Sequence, residues 1–107
     1  MFSKKEKKPL VNSFDLLYQT VIRKEPSPFD QMLDLSEILL EGRGVLALFT
    51  EIEDELTATH VLAFLSGVVY ALNGSVYQIS KETYLFAGEE ALKDGSLAQY
   101  IKEVGEK

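Results

Sequence analysis

The chain holds a single histidine, His60, and just upstream of it the carboxylates Glu51, Glu53, Asp54 and Glu55. Asp54 and Glu55 precede His60 by one to two helical turns, so a histidine–carboxylate contact of the kind used in acid–base catalysis is geometrically open. An enzyme needs such groups to converge with a nucleophile or an oxyanion site. None is in view: there is no cysteine, and Ser66-Gly67 sits inside a helical pattern rather than on a strained elbow. Gly42-Arg43-Gly44 and Asn73-Gly74-Ser75 lack the further glycines and the lysine of a phosphate cradle. The acidic cluster has two readings. It binds a metal, or it places negative charge where a helix begins; the second is favoured because calcium-loop spacing is missing. The residues therefore point away from catalysis and metal chemistry and toward a surface that binds another protein.

Composition sets the frame for that surface. At 107 residues, 46% hydrophobic and 26% charged, the chain fits one globular domain of marginal size, for which self-association would be a welcome source of stability. No apolar run reaches the roughly 18–20 residues that span a bilayer. The net charge is −6, yet Lys4, Lys5, Lys7 and Lys8 against Glu6 give residues 1–10 a charge of +3 and leave −9 on the rest. An acidic body of this kind argues against phosphate-backbone recognition, which needs clustered Lys and Arg, so no nucleic-acid partner is expected. The basic tip with Phe2 is read as a disordered tail, residues 1–13, able to make at most weak or indirect contact with an anionic membrane.

Residues 14–107 read as one domain with a short C-terminal helix. A first strand is expected near 19–24, ended by Pro26 and Pro28. Ser27 and Pro28 then mark a helix N-terminus, Phe29, Met32, Leu33, Leu35, Leu39 and Leu40 form its core stripe, and Gly42 closes it. Residues 44–49 are a continuous apolar run, as in a strand buried on both faces. A second helix is expected from about 54 to 72, apolar nearly all round and so sandwiched between layers or buried in an oligomer. Along it Ala63, Gly67 and Ala71 form a line of small residues that suits either close packing on a sheet or a dimer contact.

Asn73-Gly74 supplies left-handed conformations for the exit from that helix. Residues 75–80 and 83–88, joined through Lys81-Glu82, form an antiparallel hairpin. Alternation puts Val76 and Gln78 on one side and Tyr77 and Ile79 on the other; Tyr84 and Phe86 share a face. With apolar bulk on both sides, the hairpin is expected to have the helices on one face and a partner on the other, two-sided burial within the monomer being the alternative. Ser96 is expected to cap a final helix carrying Leu97, Tyr100, Ile101 and Val104. The predicted class is a compact α/β sandwich, helices packed on a small mixed sheet, dimeric.

The block Phe64-Leu65-Ser66-Gly67 followed by Val69-Tyr70-Ala71-Leu72-Asn73-Gly74-Ser75, with the hairpin from Gln78-Ile79 to Tyr84-Leu85-Phe86, resembles the conserved domain of the SepF family. More loosely, the likeness covers residues 26–87, about 60 of the 107 residues. The resemblance implies a dimeric, non-catalytic adaptor that needs no cofactor. It would bind the C-terminal tail of the tubulin-like division protein FtsZ and support the division ring in the cytoplasm, at the inner face of the membrane. Gln78 and Tyr84 match the family's polar and aromatic tail contacts, and Phe86 shares the Tyr84 face as a further apolar anchor. Gly67 and Gly74 match small-residue positions that affect dimerisation, with Tyr70 beside them. The competing reading is a small-molecule-sensing domain with a ligand between subunits, for which Asn73, Gln78 and Ser80 are the polar candidates.

Overall fold

The computed structural model describes residues 11–105, so Phe2, Lys4, Lys5, Lys7 and Lys8 lie outside the described residues. Strand β1, Tyr18–Val21, starts one residue before and ends three residues before the expected 19–24. Ser27 accepts from the Phe29 amide through its side chain and Pro28 opens a 3₁₀ turn, Pro28–Gln31, that runs directly into α1, Met32–Leu40. The chain then reverses at Gly42, whose φ of 92° lies in the left-handed region, and enters β2, Val45–Leu48. Helix α2, Glu55–Ala71, is capped by Asp54, which accepts from the Thr57 amide at 3.2 Å and its hydroxyl at 2.6 Å. Strands β3, Ser75–Ser80, and β4, Thr83–Ala87, form the expected hairpin; α3, Glu89–Leu92, and α4, Ser96–Gly105, complete the chain.

The strands make one mixed sheet in the order β1-β2-β4-β3, with β1 parallel to β2 and the remaining pairs antiparallel. Register decides what each face buries. Val45 stands opposite Phe86 and Ala47 opposite Tyr84, while Val76 and Gln78 continue the same rows on β3. On this face Val45, Ala47, Phe49 and Phe86 meet Leu35 and Leu39 of α1 and Val61, Leu65 and Val69 of α2 in the main core. Each fully buried Val, Leu or Phe among them contributes about 1.5–3 kcal/mol. The opposite rows hold Leu46 and Leu85, both buried. There Ala87, Ala91 and Leu97 form a smaller core with Leu17 packed on it, and α4 lies against β3.

Three expectations change here. Of the α1 stripe, Leu35 and Leu39 are core, but Leu33 and Leu40 are 72% and 65% exposed and Phe29 is 43% exposed. One sheet face covers only a narrow sector of the helix, and Ser36 takes an inner position with its hydroxyl on the Met32 carbonyl at 2.7 Å. Helix α2 likewise buries one stripe and leaves the rest open. The third concerns the Tyr84 and Phe86 face, which points toward the helices; the other face of the hairpin is closed in part by α4.

The start of the chain is tied to its end. Asp94 accepts from the amides of Ser96 and Ser13, each at 2.9 Å. Ser96 is the first residue of α4 rather than its cap: its hydroxyl donates to Asp94 at 2.8 Å and accepts from the Phe14 amide at 2.9 Å. The Phe14 ring stacks at a tilt on Tyr100, centroids 5.2 Å apart. Asn12 and Asp15 exchange amide–side-chain bonds, so residues 11–13 of the expected 1–13 tail belong to the described structure.

These bonds, led by the Ser96 amide and then that of Ser13, hold the Asp94 carboxyl below its usual 3.8. A lowered carboxylate stabilises the fold fully above the unfolded value and loses that contribution as pH falls through the folded one. Amide exchange of α4 should therefore quicken on acidification below 3.8. Asp94→Asn should exchange α4 amides faster already at neutral pH and show a weaker acid step. Equal α4 protection in the two proteins would refute the tie.

Candidate functional site

Where β2 ends, the chain leaves the sheet and α2 starts above it. The Phe49 amide donates to the Glu82 carbonyl at 2.7 Å, pinning this exit to the hairpin turn, and Ile52 bonds back to the Phe49 carbonyl at 3.1 Å. The first turns of α2 thus overhang the turn end of the hairpin, leaving a groove of about 290 Å³. Its floor is Phe49, Ile52 and Tyr84, and Ala58, Thr59 and Leu62 of α2 form one wall. Glu53, Glu55, Lys81 and Glu82 stand around it. Tyr84 meets Phe49 edge to face, with centroids 5.6 Å apart and planes at 83°, a geometry that favours aromatic pairs beyond their buried area. The ring is fixed on one edge and half-buried, so the groove is preformed.

Of the residues proposed from sequence, Tyr84 lines this groove. Gln78 is its direct neighbour across the hairpin; it is exposed, outside the lining, and its amide donates to the Lys81 carbonyl at 3.3 Å. Phe86 is corrected: it is 0% exposed in the centre of the main core, and a partner cannot reach it without opening the domain. Phe49, Ile52 and Leu62 were not foreseen as lining, nor was Lys81 beyond its place in the turn. The recurrence of Ala58, Leu62 and Leu65 along α2 was the available signal, since it marks the stripe that must face the sheet.

The dimerisation residues separate too. Gly67 and Tyr70 lie on the open side of α2, with Tyr70 62% exposed and nothing within 4 Å of a Cβ built on Gly67. Leu56, Ala63, Phe64 and Ala71 are exposed on the same helix. Gly74 is corrected. A Cβ there would come within 2.0 Å of the Ala87 carbonyl oxygen, so glycine is required by the close approach of β3 to β4. The left-handed residue is Asn73, at φ 57°. His60 is exposed on α2 and outside the groove, so it builds no cleft with Glu55. Asn73 and Ser80 flank or end β3, roughly 20 Å apart along an extended strand, and do not converge on a ligand.

Comparison with known proteins bears on this arrangement. The family model described as "Cell division protein SepF" matches residues 21–91. The chain belongs to the SepF family of cell division proteins. It is 36% identical over 83 residues to a cell division protein SepF of an Exiguobacterium species, covering 78% of this chain and 53% of that one. The SepF of Carboxydothermus hydrogenoformans is 32% identical over 76 residues, covering 71% and 55% respectively. The match thus spans about half the length of these relatives. Among solved structures, the fold is similar to a SepF-like protein from Pyrococcus furiosus, with TM-score 0.60 and 18% identity over 78% of this chain and 95% of that one. A SepF-like protein from Archaeoglobus fulgidus gives TM-score 0.60 and 15% identity over 67% and 83%. The SepF match contains both the groove residues and the open α2 face.

The two glycines should respond in opposite ways. Gly74→Ala forces a backbone shift and should lower stability by about 1–3 kcal/mol. Gly67→Ala, in open space within a helix, should raise it by roughly 0.5–1 kcal/mol. Urea unfolding at low protein concentration distinguishes them, and equal effects would contradict the assigned environments.

Proposed function

We propose that this protein is a non-catalytic adaptor of the division ring: two copies associate through the open side of α2, and each docks the C-terminal tail of FtsZ in the groove beside Tyr84. The observation that carries the reading is the groove itself, a slot with an apolar floor of Phe49, Ile52 and Tyr84 and a charged rim, beside a half-buried aromatic ring that matches the family's tail contact. Aromatic side chains held at the centre of such slots dominate small interfaces. Tyr84 supplies the anchor, Gln78 contacts the peptide at the groove's edge, and Phe86 supports the floor from beneath rather than touching the tail. Gly67 and Tyr70 form the centre of the dimer face, where the absent side chain of Gly67 lets a second helix approach closely.

The family's division role and this groove support a site of action at the cytoplasmic side of the division membrane. Among the described residues no helix is long and apolar enough to cross a membrane. Contact with lipid falls to Phe2, Lys4, Lys5, Lys7 and Lys8, whose positive charges are each worth about 1 kcal/mol near an anionic surface.

Calorimetric titration with the FtsZ C-terminal peptide of the same organism should give saturable binding. Tyr84→Ala, checked for folding by circular dichroism, should weaken it at least about tenfold, as expected for an anchor residue. Wild-type protein without measurable binding would end the tail-docking reading. In light scattering the wild type should be a dimer and the double variant Gly67→Lys/Tyr70→Glu a monomer. A variant that stays dimeric would move the contact to another face.

A further inference from the structure

The groove beside Tyr84 does not stand alone. A second one, also about 290 Å³, lies on the far side of residues 51–54 and is lined by Lys24, Pro28, Phe29 and Thr57 together with Ile52 and Glu53, which both grooves share. Phe29, 43% exposed, is the apolar surface of the second groove as Tyr84 is of the first. The two adjoin at Ile52 and Glu53 and make one surface around the β2–α2 loop, with an aromatic ring in each groove.

Its charge is one-sided. Glu51, Glu53, Asp54, Glu55 and Glu82 line it against Lys24 and Lys81 alone. Asp54 is occupied by Thr57, and Glu51 accepts from the Lys24 amide at 3.3 Å. Among the described residues, Glu53, Glu55 and Glu82 have no ion-pair partner within 4.0 Å. Nor do the carboxylates converge: no group of three or more could hold a metal ion among the described residues. Acids spaced along two adjoining grooves, each with an aromatic ring, match positive charges spaced along a chain, not a single cation.

We infer that the segment docking here is a cationic one, a peptide with two apolar side chains for the Tyr84 and Phe29 grooves and lysine or arginine between or beside them, facing Glu53, Glu55 and Glu82. This rests on the Tyr84 groove being a docking site and adds the chemistry of its occupant. An acidic peptide would bring like charges against this rim, which opposes encounter and binding alike.

The test uses the full chain and three synthetic peptides that share the same pair of aromatic anchors and differ only in flanks of lysine, glutamine or glutamate. Binding is followed by NMR shifts at Tyr84 and Phe29. The lysine peptide should bind about tenfold or more tighter than the glutamate peptide, the glutamine peptide falling between. The preference should shrink at about 0.5 M salt and drop to within roughly twofold in Glu53→Gln/Glu82→Gln, where two exposed charges are removed. Equal binding of the three peptides, a glutamate preference, binding of none, or a preference untouched by the double variant would overturn the inference. If the lysine peptide binds as expected while the FtsZ tail does not, the cationic class stands and the division partner falls. If the FtsZ tail binds with no dependence on Glu53 and Glu82, the partner stands and the charge inference falls.

Discussion

The pairing of β4 between β2 and β3 is the constraint on which the rest of the molecule depends. Side chains alternate along a strand, so fixing Phe86 opposite Val45 also fixes Tyr84 on the same face, two residues nearer the turn. Phe86 then lies under both helices and is sealed. Tyr84 lies where that cover runs out, close to Phe49 on one side and open on the other. The same register thus makes one aromatic a core residue and the other a surface feature. A one-residue slip would exchange the inner and outer rows and place Leu85, not Tyr84, at the edge of α2.

Two close approaches hold that register. Gly74 allows the start of β3 to lie so near the end of β4 that a Cβ there would clash with the Ala87 carbonyl oxygen, and Asn73 takes the left-handed conformation that turns the chain out of α2. At the other end, the Phe49 amide on the Glu82 carbonyl ties the β2 exit to the hairpin turn. The groove lies at the second of these fixed points, so the placing of its floor beside the hairpin turn follows from a backbone bond. Pre-set geometry of this kind lowers the ordering cost of binding.

What could be read from sequence was what is local. Ser27-Pro28, Asp54, Asn73-Gly74 and the Lys81-Glu82 link are short-range signals, and each acts within a few residues of where it stands. Helical periodicity also located the buried stripes of α1 and α2 around Leu35, Leu39, Val61, Leu65 and Val69. It could not give their width. Leu33 and Leu40 have the spacing of core residues, but a single sheet face covers too narrow a sector of α1 to reach them. Alternation showed that Tyr84 and Phe86 share a face without showing which face, because that depends on partners far away in sequence. The groove was legible only as the ring of Tyr84; its other walls come from α2 and the β2 exit, brought together by tertiary contacts. Ser96 is a local misreading with a local cause. Asp94, two residues earlier, bonds both the amide and the hydroxyl of Ser96 and recruits Ser13 as well.

The placement of α2 connects the two surfaces that matter. One stripe of this helix is core, its first turns wall the groove through Ala58, Thr59 and Leu62, and its remaining face carries Leu56, Ala63, Gly67 and Tyr70 outward. These faces are separated only by the 3.6-residue period, so none can be displaced without carrying the others. A rigid helix of 17 residues spans about 25 Å, and a second body packed on its open face would meet the same element that fixes the groove's wall. Any shift or stiffening imposed there reaches Ala58 and Leu62 directly. Self-association and tail docking, if both use α2 as proposed, are therefore coupled by construction: the sign of the coupling is set by whether the partner holds the first turns of α2 closer to Tyr84 or draws them away.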